Sequence, residues 1–227
     1  MCWFTGPVDV PRVLLALPDD EARQLLRAAR VTTYARREVV VRAGDVADSF
    51  HVVLEGRAAV RVTTPAGESA IVTVLGPDSH FGEVSLLGGA EPRRTADVVA
   101  LERVRTLSIP AAVFHDLRER NPRLERLVTS ILAQRVEELS AQLVEALYDG
   151  LERRLVRRLV SLAGTFAGSA TDVVVPLTQD ELAQLAGGAR PSVNQVLRRL
   201  EDAGVVRLSR GRVTVLDVSA LRARLAG

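Results

Sequence analysis

Lysine is missing from this chain and cysteine occurs once. Cys2 has no internal disulfide partner, and alone it holds neither zinc nor an iron–sulfur cluster, which excludes redox sensing through a cluster. The three histidines, His51, His80 and His115, stand far apart without metal-ligand spacing and are read as ordinary residues. There is no phosphate-cradling loop of the kinase or ATPase type. Asp78-Ser79-His80 joins three residue types found in catalytic sites, but adjacent side chains rarely converge on one reacting atom, so an enzyme is not expected. No apolar run approaches the roughly 18 residues of a membrane span. The N-terminus, MCWFTGPVDVPR, lacks the basic start and apolar stretch of a secretion signal, so the expected location is the cytoplasm.

What is present is hydrophobic enough, at 47%, to fill more than one core, and 227 residues sit more comfortably in two domains than in one. All 30 basic residues are arginine, a bias that reads as a property of the coding sequence rather than of site chemistry. Their distribution says more. Met1–Gly150 carries 18 Arg against 21 acidic residues, whereas Leu151–Gly227 carries 12 against 7. The basic end is the candidate for nucleic acid.

The texture of the chain changes along its length. PRVLLALPDDEARQLLRAAR, residues 11–30, reads as helical, with Pro18-Asp19-Asp20 as its start signal. From Val31 to about Ile109, short runs rich in Val, Ile and Thr alternate with turns such as Gly44-Asp45 and Pro65-Ala66-Gly67, which predicts an antiparallel β-roll. Asn121-Pro122 then opens a long helix, with Asn121 as N-cap and Pro122 at the first helical position. On it Leu132, Val136, Leu139, Leu143 and Ala146 recur with a period of 3.5, a seam that calls for a partner helix in a two-stranded coiled coil. The alternative is that the seam packs on its own β-roll. Asp149-Gly150 interrupts the helix and marks a hinge, giving three units: 1–120, 121–149 and 150–227.

The last unit divides further. An Arg-rich amphipathic helix runs from Leu151 to Ala163. Thr178-Gln179-Asp180-Glu181 fits a capping box that starts another. Gly187-Gly188 makes a turn, and a second helix from about Arg190 places Val193, Val196, Leu197 and Leu200 on one face. Two short helices joined by a glycine turn predict a helix-turn-helix. The alternating VVRLSRGRVTVLD predicts a hairpin with Ser209–Arg212 at its tip, the wing of a winged helix.

One stretch of the β-roll, HFGEVSLLGGAEPRRTADV (His80–Val98), assembles the parts of a small anion site with a hydroxyl acceptor beside it. With FGEVSLL and RRTADV in a β-roll, a long seam helix, and LTQDELAQLAGGARPSVNQVLRRLEDAG in a C-terminal winged helix-turn-helix, the chain resembles the cyclic AMP receptor protein (CRP/FNR) family of bacterial transcription regulators. The resemblance covers nearly the whole chain in the same order. It implies an α+β fold with an N-terminal cyclic-nucleotide-binding β-roll, a dimerisation helix and a C-terminal DNA-binding winged helix-turn-helix. It also implies cyclic AMP as effector with no metal and no other cofactor, a homodimer, palindromic double-stranded DNA, RNA polymerase as a further partner, and no membrane.

A cyclic nucleotide carries one phosphate charge and one free ribose hydroxyl. Arg94 would present its planar fork to the phosphate, with Thr95 adding a hydroxyl and an amide. Glu83 would accept from the 2′-OH, and Gly82 would remove side-chain bulk. In the family the clamping Arg precedes Ser, Thr or Ala, which favours Arg94, although the Gly88-Gly89 loop leaves Arg93 open. The family's Thr-Ser pair that meets adenine, the Ser coming from the partner subunit, falls on Leu139-Ser140, and Leu139 cannot hydrogen-bond a base.

Leu132, Val136, Leu139 and Leu143 are the expected dimer contacts. On the second helix of the motif, Arg190, Pro191, Ser192, Gln195 and Arg198 point away from the inner face, so that end is expected in the major groove. Arg190 would read guanine and Gln195 adenine. Pro191 and Gln195 depart from the family's Glu and Arg. Arg198, Arg199, Arg210 and Arg212 are expected on phosphates, and Thr178 is counted with the DNA-facing residues. Two other readings stay open: the same DNA-binding dimer with no nucleotide or another effector, and a nucleotide-binding module that does not bind DNA.

Overall fold

The computed structural model describes residues 11, 14, 17–87, 92–167 and 172–226; Cys2 and the Gly88-Gly89 loop lie outside them. Helix α1 (Asp19–Ala28) starts after Pro18 with three acidic residues in its first turn, where carboxylates face unpaired amides, and buries Ala22 and Leu25. Eight strands follow: β1 (Arg30–Tyr34), β2 (Val39–Val41), β3 (Ser49–Glu55), β4 (Ala58–Thr63), β5 (Ser69–Leu75), β6 (His80–Phe81), β7 (Asp97–Ala100) and β8 (Val104–Pro110), with the short helix α2 (Glu83–Leu87) between β6 and β7. They form two antiparallel four-stranded sheets, β1-β8-β3-β6 and β2-β7-β4-β5. Val53, Phe81 and Val104 from the first meet Ala58, Leu75, Val98 and Ala100 from the second in one core.

The outer face of the first sheet is covered too. Phe50 and Val52 of β3 and Leu107 and Ile109 of β8 pack against Leu25 of α1, Phe114 and Leu117 of α3 (Ala111–Arg120), and Leu124 and Val128 of α4 (Pro122–Tyr148). This explains why β3 is buried on both faces from Ser49 to Val53. Asn121 caps α4 as expected, its Oδ1 accepting from the Arg123 amide at 2.8 Å. The buried residues of α4, Leu124 and Val128, lie in its first two turns. Val136 and Leu143 are 63% and 60% exposed, so among the described residues nothing covers these two seam positions.

The C-terminal unit comprises α5 (Leu151–Phe166), β9 (Val173–Val175), α6 (Gln179–Ala186), α7 (Arg190–Asp202), β10 (Val206–Ser209), β11 (Arg212–Val215) and α8 (Val218–Ala226). Its strands form a sheet of order β10-β11-β9. The capping box is present: the Glu181 amide donates to Thr178 Oγ1 at 3.2 Å, and the Thr178 amide donates to Glu181 Oε2 at 2.7 Å. Gly187 ends α6 in the left-handed region, at φ +63°. Val193, Val196, Leu197 and Leu200 of α7 are buried, as their spacing predicts.

The C-terminal unit rests on the β-roll. Ala59 of β4, Ile71 of β5 and Leu101 share its core, Arg36 donates to the Pro176 carbonyl, and Arg57 donates to the Thr165 carbonyl at 2.9 Å while covering the Phe166 ring at 4.6 Å. At the hinge, two carboxylates gather three arginines of α5. Asp149 pairs with Arg153 and Arg157, and Glu145 with Arg157 and Arg158. Among the described residues no helix is long and apolar enough to cross a membrane.

Thr178→Ala removes the hydroxyl that accepts from the Glu181 amide and donates to Glu181 Oε2 at 2.9 Å, and should cost about 1 kcal/mol. The expected result is a lower melting temperature for Thr178→Ala and one near wild type for Thr178→Ser, measured by differential scanning calorimetry.

Candidate functional site: a charged cavity in the β-roll and a basic helix face

The chain leaves β6 through Gly82 at φ +98°, a conformation that side chains rarely adopt. A Cβ there would also stand 2.6 Å from Arg94 Nη1 and 2.9 Å from the Ser49 carbonyl, so glycine lets the guanidinium approach the turn. Arg94 reaches it from the segment before β7, and its side chain is 3% exposed. Its Nη2 donates to Ser49 Oγ at 2.9 Å and to Asp48 Oδ1 at 3.2 Å, while Nη1 is buried with no hydrogen-bond partner. Burial pulls the guanidinium below its usual pKa, opposed by Asp48, and it remains a cation.

Glu83, the first residue of α2, is buried as well, and its Oε2 also has no partner. Arg135 of α4 is its nearest cation, with Nη2 3.9 Å from Oε1. Gly82, Glu83, Arg94, Thr95, Arg135 and Leu139 all line one cavity of about 300 Å³, whose remaining wall is largely valine from β2, β4, β5, α2 and β7. Buried polar atoms are nearly always paired. Two such atoms, of opposite charge, sit on residues that line one cavity, and they are the groups that a small ligand with an anion and a hydroxyl would pair.

The structure brings together five of the six residues read from the sequence for this site. Ser140 is the exception: it is exposed, and its Oγ donates to the Val136 carbonyl of its own helix. Arg93 turns elsewhere, with Nη1 donating to the Gly44 carbonyl at 3.0 Å. The sequence reading missed Arg135. It lies one helical turn before Leu139, so the spacing of four residues was the available signal.

His51 needs correcting as an ordinary residue. It is buried at 4% exposure, stacks on Phe81 with ring centroids 4.7 Å apart, and its Nε2 lies 2.9 Å from Ser49 Oγ. Burial, with the neighbouring Arg94 charge, pushes its pKa down to about 4, against a raising influence from Asp48.

At the other end of the molecule α7 exposes Arg190, Pro191, Ser192, Gln195, Arg198 and Arg199. Arg190 shares a cleft with Thr178, Ser209, Arg210 and Arg212, so the start of α7 and the wing face one groove. Two of these arginines are already paired. Arg190 Nε is 3.4 Å from Asp180 of α6, and Arg199 Nη1 is 3.2 Å from Glu152 of α5.

The comparisons with known proteins divide the chain in the same way. Residues 31–121 match the cyclic nucleotide-binding domain and residues 153–224 match the Crp-like helix-turn-helix domain. The chain belongs to the CRP/FNR family. Within this family it is similar to the CRP-like cAMP-activated global transcriptional regulator of Mycobacterium tuberculosis, 26% identical over 88% of this chain and 90% of that one. The cyclic AMP receptor protein of Thermus thermophilus is 29% identical over 83% and 84%. In fold it is similar to the c-di-GMP responsive global regulator CLP of Xanthomonas campestris, with a TM-score of 0.74, 18% identity, and coverage of 88% of this chain and all of that one. Like other CRP/FNR proteins, the chain is a DNA-binding transcription regulator with a cyclic nucleotide-binding domain, in a family of regulators rather than enzymes.

The buried His51 gives the fold a measurable pH dependence. Its pKa is 6.5 when unfolded and about 4 when folded, so between these values the unfolded chain binds the extra proton. Stability from this group is fully present above about pH 6.5 and is lost as the pH falls toward about 4, by about 3 kcal/mol in all. Thermal melts at pH 7, 5.5 and 4 should show a decline for the wild type that is shallower for His51→Phe.

Proposed function

We propose that the chain is a dimeric, cyclic-AMP-gated, sequence-specific transcription regulator acting in the cytoplasm. The observation that carries this reading is the pair of buried, half-satisfied charges, Arg94 and Glu83, on a single cavity that also reaches Leu139 on the exposed seam of α4. The free Nη1 of Arg94 would meet the cyclic phosphate, with Thr95 beside it. The free Oε2 of Glu83 would accept from the 2′-OH. Similarity to the cAMP-activated regulator of M. tuberculosis and the cyclic AMP receptor protein of T. thermophilus supports cyclic AMP in particular.

The exposed run Val136, Leu139 and Leu143, with the half-buried Leu132, supports a two-fold dimer in which each α4 covers the other's seam. Dimerisation would also bring the partner subunit's Ser140 toward the cavity from the far side. Leu139 gives the base no hydrogen bond, so this wall does not select adenine, and the same DNA-binding dimer with another effector, or with no nucleotide, is the second reading. The units 1–120, 121–149 and 150–227 then serve as sensor, dimer helix and DNA-binding head. RNA polymerase is the partner such a head would recruit or obstruct.

On DNA, the start of α7 would enter the major groove, Arg190 leaving Asp180 for guanine O6 and N7, and Gln195 pairing with adenine. Arg198, Arg199, Arg210 and Arg212 would lie on phosphates. Pro191 and Gln195 give this head a half-site that shares only part of the family consensus.

The deciding experiment titrates cyclic AMP and, separately, cyclic GMP, following heat of binding and affinity for operator DNA together. Cyclic AMP should bind and tighten the DNA complex; DNA binding indifferent to both nucleotides would overturn the gating. Arg94→Leu should weaken nucleotide binding at least about thirtyfold, in keeping with about 2 to 5 kcal/mol for truncating one partner of a buried charged contact, while Arg93→Leu binds normally. In sedimentation, Leu143→Glu should give monomers. In selection from random duplexes, Gln195→Ala should relax one base position at about 1 to 3 kcal/mol, whereas Arg212→Ala should weaken all sequences alike and lower the salt slope by about 1.

A further inference from the structure

Behind Arg94 lies a hydrogen-bonded chain that the ligand would never touch. Ser49 and His51 alternate on the same face of β3, opposite a run of apolar residues, and both are buried. Ser49 Oγ lies 2.7 Å from Asp48 Oδ1, 2.9 Å from Arg94 Nη2 and 2.9 Å from His51 Nε2. A hydroxyl has one proton and two lone pairs. The carboxylate only accepts and takes the proton; the guanidinium only donates and takes one lone pair. The remaining lone pair must then receive a proton from His51 Nε2. His51 thereby carries its proton on Nε2; burial keeps the ring neutral near pH 7, so it is the Nε2–H tautomer with a bare Nδ1 facing Thr106 Oγ1, itself fully buried, at 3.5 Å.

Asp48 contributes less to this hold than its charge suggests. Its side chain is 80% exposed, and water screens its attraction for Arg94. The buried hydroxyl does not share that weakness. It anchors Nη2 and so decides which nitrogen of the fork, Nη1, is left toward Gly82 and the cavity. His51 in turn holds the hydroxyl, its ring set against Phe81, the residue before Gly82. We infer that Ser49 and His51 are positioning residues for the anion clamp: the His51 Nε2–H fixes the Ser49 hydroxyl, which fixes the rotation of the Arg94 guanidinium and presents Nη1 to the ligand.

This inference rests on the proposed nucleotide site for its binding consequence, but not for its geometry, and the two are tested separately. In the ligand-free full-length protein, nitrogen-15 spectra should show His51 as the Nε2–H tautomer. They should also show resolved, slowly exchanging Arg94 Nη signals that collapse in Ser49→Ala. In calorimetry with cyclic AMP, Ser49→Ala should weaken binding about ten- to hundredfold, the usual range for a lost hydrogen bond to a charged group, while Ser49→Thr stays within about threefold. His51→Phe keeps the ring but loses the donor, and should weaken binding about three- to tenfold. His51→Gln loses the ring but keeps a donor, and should stay within about threefold.

Several results would overturn the inference: an Nδ1–H tautomer, Arg94 signals unchanged in Ser49→Ala, wild-type affinity in that variant, or a His51→Gln loss as large as that of His51→Phe. If the wild type binds no cyclic nucleotide, the effector reading falls instead. The ligand-free spectra alone then decide, supporting the inference if the Arg94 signals collapse in Ser49→Ala and overturning it if they persist.

Discussion

A guanidinium and a carboxylate removed from water, on the same small cavity and not paired with each other, set the terms for the β-roll of this protein. Each carries a desolvation penalty that a folded chain normally offsets by direct pairing. Here each keeps one buried polar atom, Arg94 Nη1 and Glu83 Oε2, without a hydrogen-bond partner. The surroundings follow from that requirement. Gly82 gives up its side chain so that the guanidinium can come close. The valine wall keeps the local dielectric low, so an arriving anion meets a strong field. Arg135 stands far enough from Glu83, at 3.9 Å, to stabilise its charge without closing its second oxygen.

Much of this was legible in the sequence, for physical reasons that differ from place to place. The capping box at Thr178, the turn at Gly187 and the inner face of α7 are local: each is decided by residues within one or two helical turns, and each appears where its pattern put it. The cavity residues Gly82, Glu83, Arg94 and Thr95 were legible because a short motif holds them. Helix α3, strand β9 and helix α8 were not. VVV at 173–175 is too short to declare itself and becomes a strand only by pairing with β11. α3 carries its apolar residues, Phe114 and Leu117, between two longer elements that claim attention first. Ser49 and His51 are a different case. Polar residues two apart in an apolar strand mean a buried polar face, but only the fold reveals that Arg94, 45 positions away, is what they meet.

The DNA-facing end is built on the opposite principle. Its arginines are exposed, and those that are paired, Arg190 with Asp180 and Arg199 with Glu152, are held in water by contacts worth little. Such pairs give way readily to a denser array of phosphates. The hinge is stricter. Glu145 and Asp149 are largely covered, at 14% and 17%, and three arginines of α5 converge on them, so the angle between α4 and α5 is set by charge as well as by packing.

The hairpin of β4 and β5 belongs to both ends at once. Val60, Val62, Val72 and Thr73 line the cavity, while Ala59 and Ile71 lie in the core of the DNA-binding head. A close-packed strand cannot yield on one face without shifting on the other, since interiors have few voids to absorb the movement. Cavity and head are therefore neighbours across the thickness of two strands, whatever longer route α4 provides. Linkage is reciprocal. Whatever fraction of a ligand's binding free energy crosses that hairpin to favour one setting of the head, DNA that holds the head in that setting returns in full to the ligand.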